Sequence, residues 1–151
     1  MSAGMLQPGS KLLASGAVSA AGTSNSTAFT LPWVDAWRFI LIAGTLTGTT
    51  PTFDGVLQDS PDGGITWVNL PLRFSQITTA GGQSYIIAKP IGFADAASAG
   101  VVAATGGALA ANTPVNVQNV RLFITAGGTA PAFTYTLYVN SVQRGNTGSA
   151  S

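Results

Sequence analysis

The sequence predicts an all-β domain of the sandwich or barrel type. Bulky residues recur with a period of two in short segments, and clusters of Gly, Pro, Asn and Asp separate those segments. With 151 residues, 46% of them hydrophobic, the chain can build one core but not comfortably two. The expected organisation is therefore a flexible N-terminal arm over 1–10, one β domain over 11–142 and a polar C-terminal tail over 143–151.

A first strand is expected from Lys11 to Ser19, returning near Thr27 to Leu31 after an Ala-Gly-Thr-Ser-Asn-Ser turn. Trp37-Arg38-Phe39-Ile40-Leu41-Ile42 is a near-continuous bulky run, which predicts a central strand covered on both faces. Phe53 to Gln58 is the next strand. Ser60-Pro61-Asp62-Gly63-Gly64 then supplies Pro for a fixed φ and Gly for a positive one, so Ile65 to Leu70 should complete a hairpin. Arg73 to Ile77 and Tyr85 to Ala88 read as two further strands, the second ended by Pro90.

Within the Ala/Gly-rich stretch from Phe93 to Asn112, Phe93 to Val102 could make a short helix, but Gly100, Gly106 and Gly107 each oppose one by about 1 kcal/mol relative to Ala. A loop with strand-like pieces is expected there. Asn119 to Thr125 and Phe133 to Val142 close the domain. In the last strand Phe133, Tyr135, Leu137 and Val139 share one face, which should fill the core. Tyr138 has the opposite parity and is expected at a surface or interface.

Charge is scarce: six Lys and Arg, five Asp, no Glu and no His. A surface built from Ser, Thr, Asn, Gln and backbone suits a protein that covers much of itself against other copies or a larger assembly. The cations Lys11, Arg38, Arg73, Lys89, Arg121 and Arg144 are scattered, so no nucleic-acid footprint is expected. Met1 to Ser10 lacks the basic and apolar regions of a secretory signal, and Ala96 to Ala111 lacks the bulky apolar run of a membrane span.

Two stretches echo each other. Arg38-Phe39-Ile40-Leu41-Ile42-Ala43-Gly44, followed by Thr49-Thr50-Pro51-Thr52-Phe53 and Leu57, parallels Arg121-Leu122-Phe123-Ile124-Thr125-Ala126-Gly127, followed by Thr129-Ala130-Pro131-Ala132-Phe133 and Leu137. Each copy reads as one hairpin, with Gly48 and Gly128 opening the turn and Pro starting the returning strand, where its missing N–H costs least. Two copies are too few for a solenoid or propeller.

This paired pattern, with Ser60-Pro61-Asp62-Gly63-Gly64-Ile65-Thr66-Trp67 after its first copy, resembles small virion proteins of tailed bacteriophages. The resemblance follows the order of features from Leu12 to Val142, and the Ala/Gly stretch departs from it. It implies an antiparallel, jelly-roll-like β-sandwich that serves as a capsid decoration, cement or head-fibre subunit. The implied partner is the major capsid protein, on the outer surface of a head assembled in the host cytoplasm, with a homo-oligomer, a trimer foremost, as the implied state. Met5 and Leu6 of the arm join Tyr138 as candidate interface residues. A tail, baseplate or fibre component is the nearest alternative, and a carbohydrate-binding module using exposed Trp or Tyr is the alternative of another class.

The same octapeptide matches the Asp-box pattern Ser-x-Asp-x-Gly-x-Thr-Trp of sialidases and other carbohydrate-active proteins. Ser60, Asp62, Gly63, Gly64 and Trp67 are read as a structural turn, with Asp62 accepting backbone N–H groups and Trp67 packing beneath. No catalytic, cofactor or metal site is expected. Without His, Cys or Glu, Ser-His-Asp triads, Cys-His dyads and the usual zinc sites cannot be assembled in one chain. Asp54 and Asp59 are five apart and fall on opposite faces of a regular strand, while Asp59 and Asp62 lack the ordered spacing of a calcium loop.

Overall fold

The computed structural model describes residues 10–32, 34, 36–90, 108–113 and 118–142. They form seven strands: β1 (Ser10–Val18), β2 (Gly22–Asn25), β3 (Ala36–Asp59), β4 (Val68–Arg73), β5 (Gln83–Pro90), β6 (Ala108–Thr113) and β7 (Val120–Val142). The all-β class expected from the sequence is what is found. The arm before Ser10, the tail after Val142, Trp33, Asp35 and most of the Ala/Gly stretch lie outside the described residues.

The two echoing segments are not hairpins. Each is a single long strand, β3 or β7, and the two pair antiparallel with each other from Ala36↔Val142 to Asp59↔Val120. The glycine step that was expected to turn each copy back instead bends each strand at its middle. Gly48 has φ 117° and Gly128 φ 96°, and the residue two places on, Thr50 or Ala130, has φ 48°. The register shifts only around this bend, between Ala43 and Thr52. A turn would need the halves of one copy to pair with each other; pairing with the other copy satisfies the same backbone groups and uses twice the strand length.

The bends divide the sheet into two facing layers. In the first layer β1 pairs with the Phe133–Asn140 end of β7, and β5 pairs with the Trp37–Ile42 end of β3. In the second, β2 pairs with Phe123–Ala126 of β7 and β4 with Val56–Asp59 of β3. That the layers face one another follows from Gly55, where an added Cβ would lie 3.0 Å from Leu41 Cδ2 on the other half of the same strand. In a straight strand those residues would be roughly 46 Å apart. Phe53 and Phe133, equivalent in the two copies, stack across the middle with centroids 4.3 Å apart.

Trp37, Phe39, Leu41, Leu57, Phe74, Ile86, Leu122, Ile124, Leu137 and Val139 fill the space between the layers. Trp37 meets its polar need by donating its indole N–H to the Pro32 carbonyl at 2.8 Å. Phe133, Tyr135, Leu137 and Val139 are buried on one face, as their parity requires. Other boundaries differ from expectation. The return after β1 is β2, not 27–31, where Phe29 makes only an isolated bridge to Val120, and β2 pairs with β7 rather than with β1. Ile65 to Trp67 stay in the turn, so β4 starts at Val68, and Ile77 contributes a single bridge to Phe53. The sheet is also not wholly antiparallel. β6 runs parallel to β5, from Ile86↔Ala108.

Candidate interaction surfaces

The run from Trp37 to Ile42 is covered on one face only. Trp37, Phe39 and Leu41 are buried, whereas Arg38 is exposed and Ile40 and Ile42 are half-buried on the outer face of the first layer. Strand register shows what stands beside them. Leu12 pairs with Tyr138, Tyr138 with Ile40, and Ile40 with Tyr85, so four apolar or aromatic side chains form a row across β1, β7, β3 and β5. Leu12 is 51% exposed, and Tyr138, Ile40 and Tyr85 are half-buried. The row above it carries Asn140, Arg38 and Ile87, and the row below Thr136, Ile42 and Gln83. Arg38 is the one ion among these residues, and its guanidinium lies 5.1 Å from the Tyr85 ring centroid.

Tyr138 therefore stands where its parity put it, in company the sequence reading missed. Leu12, Ile40 and Tyr85 are hidden in the sequence because Ile40 sits inside a near-continuous bulky run and because the row crosses strands far apart in sequence. Met5 and Leu6 lie outside the described residues.

The outer face of the second layer is organised differently. Arg121, the counterpart of Arg38, donates from Nε to Gln58 Oε1 at 2.8 Å, and Gln58 Nε2 donates to Asn69 Oδ1 at 2.7 Å. The Arg121 guanidinium lies 4.2 Å from the centroid of Trp67. This chain of contacts ties β7, β3 and β4 to the Ser60–Trp67 turn.

That turn is built as the octapeptide implies. Asp62 Oδ1 accepts from the backbone N–H groups of Thr66 at 2.7 Å and Ile65 at 3.1 Å, and from the Ser60 hydroxyl at 2.9 Å. Ser60 is fully buried; its Oγ accepts the Gly64 N–H at 2.6 Å, and its own N–H donates to the Asn119 carbonyl at 3.0 Å. Gly63 and Gly64 take φ of 78° and 103°, which few other residues would adopt. Trp67 is half-buried and donates Nε1–H to the Gly64 carbonyl at 3.1 Å. Hydrogen bonds, the Thr66 N–H foremost, hold the Asp62 carboxyl down at about 2. Ile65 contributes its N–H to this scaffold and its side chain is 83% exposed; Val68, the first residue of β4, is 49% exposed.

Among the described residues, the carboxylates do not gather into one group of three or more. Asp54 points outward and accepts from Gln76 Nε2 at 2.9 Å, while Asp59 has the core-facing parity at the strand end. Among the described residues no group of three or more His, Cys, Asp or Glu could hold a metal ion, and no helix is long and apolar enough to cross a membrane. Asp35 and Asp95 lie outside the described residues.

No protein-family model matches the chain, and no curated protein matches it. Among solved structures it is similar to the CBM22-1–GH10 modules of Clostridium thermocellum endo-1,4-β-D-xylanase 10B, complexed with xylohexaose, with 8% identity and a TM-score of 0.42. That match covers 91% of this chain and 27% of the xylanase chain, so the chain spans about a quarter of that structure's length.

Proposed function

We propose that the chain is a structural subunit of a bacteriophage virion: a capsid decoration or cement protein that lays the outer face of its first layer against the major capsid lattice. The observation that carries this reading is the row Leu12–Tyr138–Ile40–Tyr85, an apolar stripe across a sheet face with one stacked Arg among its neighbours. It adds a surface to what the sequence resemblance implies. Aromatic-rich, charge-poor patches of this kind occur at the centres of protein interfaces, with polar rims such as Asn140, Thr136 and Gln83. The mechanism is contact area: a subunit that binds only the assembled lattice stabilises it over free capsid subunits by mass action. A trimer is the proposed solution state, to be read by light scattering on the purified protein.

A glycan-binding module is the second reading, favoured by the two tyrosines in the row. Against it stands Arg38 over the Tyr85 ring, which occupies a face that a sugar would need for stacking. Mass spectrometry of purified virions tests the primary reading. A copy number in proportion to the major capsid protein supports it, a far lower number points to a tail or baseplate part, and absence from the particle removes it.

A further inference from the structure

We propose that Asp62–Gly63 is a self-modification site: the Gly63 backbone nitrogen closes on the Asp62 carboxyl and slowly converts the residue to isoaspartate, with the hydrogen bonds on Asp62 acting as the brake. The reaction needs no partner, so it is independent of what the outer faces bind. In the first step the Gly63 nitrogen attacks Cγ of Asp62. A C–N bond forms, a carboxyl C–O bond breaks, and the oxygen leaves as water with the acid proton and the amide proton. The resulting five-membered succinimide then takes up one water. Opening at Cγ restores aspartate, whereas opening at the Asp62 backbone carbonyl carbon leaves the chain running through Cβ and Cγ. One water is lost and one gained, with no oxidant or other reactant. Glycine after the aspartate favours the attack, because no Cβ crowds the approach and the backbone reaches conformations closed to other residues.

The chain has two Asp–Gly steps, Asp54–Gly55 and Asp62–Gly63, and the fold treats them oppositely. Asp54 and Gly55 lie inside β3, paired with Thr125 and Ile124 of β7. Gly55 is buried, its carbonyl accepts the Phe74 N–H at 2.9 Å, and a Cβ added there would lie within 3.4 Å of Leu41, Leu122 and Phe74. Ring closure at this step has to break the ladder first. Asp62 and Gly63 are exposed in the turn instead. Gly63 has φ 78°, no atom stands within 4 Å of where its Cβ would be, and among the described residues no hydrogen bond engages its N–H. The nucleophile is therefore free at one step and packed away at the other.

The brake acts on the carboxyl. Oδ1 of Asp62 is held by the Ser60 hydroxyl and by the Ile65 and Thr66 N–H groups, which fix the side chain. The same bonds keep it ionised, with the carboxyl lowered to about 2, and water leaves readily only from the neutral acid. Conversion lengthens the turn backbone by one carbon and withdraws Oδ1 from its three donors. The modified turn is looser than the native one.

The test is incubation of the full chain in heavy-oxygen water at neutral pH, then digestion and mass spectrometry of the peptides that carry Asp54 and Asp62. Each passage through the succinimide installs one heavy oxygen, and isoaspartyl peptides separate from aspartyl ones by chromatography. In urea-unfolded chain both steps should label at comparable rates. In native protein Asp62 should label and Asp54 should not. Native Asp62 should be slower than the same residue in the unfolded chain by roughly 10- to 100-fold, following the lowered carboxyl. Ser60→Ala removes one donor from Oδ1 and should label at Asp62 roughly 2- to 10-fold faster than native, the weight of one hydrogen bond. Label at Asp54 ahead of Asp62 in native protein, or at neither while the unfolded chain labels, would overturn the site. Equal rates at Asp62 in native and unfolded chain would overturn the brake, as would a folded Ser60→Ala that labels at the native rate.

Discussion

The two long strands carry nearly the same inward residues and quite different outward ones. Phe39 and Leu122, Leu41 and Ile124, and Ala43 and Ala126 are equivalent and buried, and Phe53 stacks on its own counterpart Phe133. Outside, the counterpart of Ile40 is Phe123, that of Ile42 is Thr125 and that of Tyr138 is Gln58 in the same comparison. Even the paired arginines part ways: Arg38 lies exposed over Tyr85, whereas Arg121 is engaged by Gln58 and Trp67. The inner halves are constrained by one shared core, so they stay alike. The outer halves are free to differ, and the difference leaves an apolar row on one layer and a polar brace on the other.

The comparison breaks first at the centre. Phe53→Ala and Phe133→Ala should each destabilise the protein by about 3–5 kcal/mol in denaturant melts, and the double variant by less than the sum, because each ring is the other's partner. Next come the bends. An added Cβ at Gly48 would lie 2.7 Å from the Ala130 carbonyl oxygen, and one at Gly128 2.5 Å from that of Thr50, both at positive φ. Gly48→Ala and Gly128→Ala should therefore cost similar amounts, about 2–4 kcal/mol each. A large cost at one and none at the other would deny that the bends are equivalent.

The arginines test the asymmetry. Arg121→Ala leaves the buried Gln58 carbonyl without that donor and removes the stack on Trp67, for an expected loss of about 1–2 kcal/mol. Arg38→Ala removes an exposed contact and should cost about 0.5 kcal/mol. Equal losses would make the two layers alike outside as well as inside.

The smallest effect concerns pH. Asp62 has a carboxyl lowered from 3.8 to about 2 in the folded turn. A depressed acid contributes stability above its unfolded pKa and loses it as pH falls through the folded one. The Ile65 and Thr66 amides should thus stay protected from hydrogen exchange above about pH 4 and lose protection toward pH 2. Asp62→Asn should show weaker protection with no such pH dependence.

Much of this was legible in the sequence, though not the way its largest pattern is used. The repeated Gly-Thr-x-Pro-x-Phe step is visible in one chain, and its residues do change the strand direction. What a local reading lacks is the partner: a glycine at positive φ can end a strand in a turn or bend it, and only pairing of β3 with β7 decides which. The Ser60–Trp67 turn is largely readable because the bonds of Asp62, the Ser60 hydroxyl and the Trp67 indole all lie within eight residues, whereas its ties to the Asn119 carbonyl and to Arg121 come from outside them. The apolar row was not, because its four members come from four strands, and Tyr138 alone betrayed itself by parity.

The claim that the first layer's outer face meets the lattice is tested most directly by hydroxyl-radical footprinting of the protein free and bound to capsids. Tyr138 and Tyr85 should oxidise readily in the free protein and be protected when bound, while Phe123 on the other layer keeps its free reactivity. Unchanged oxidation of Tyr138 and Tyr85 on bound protein would contradict the account.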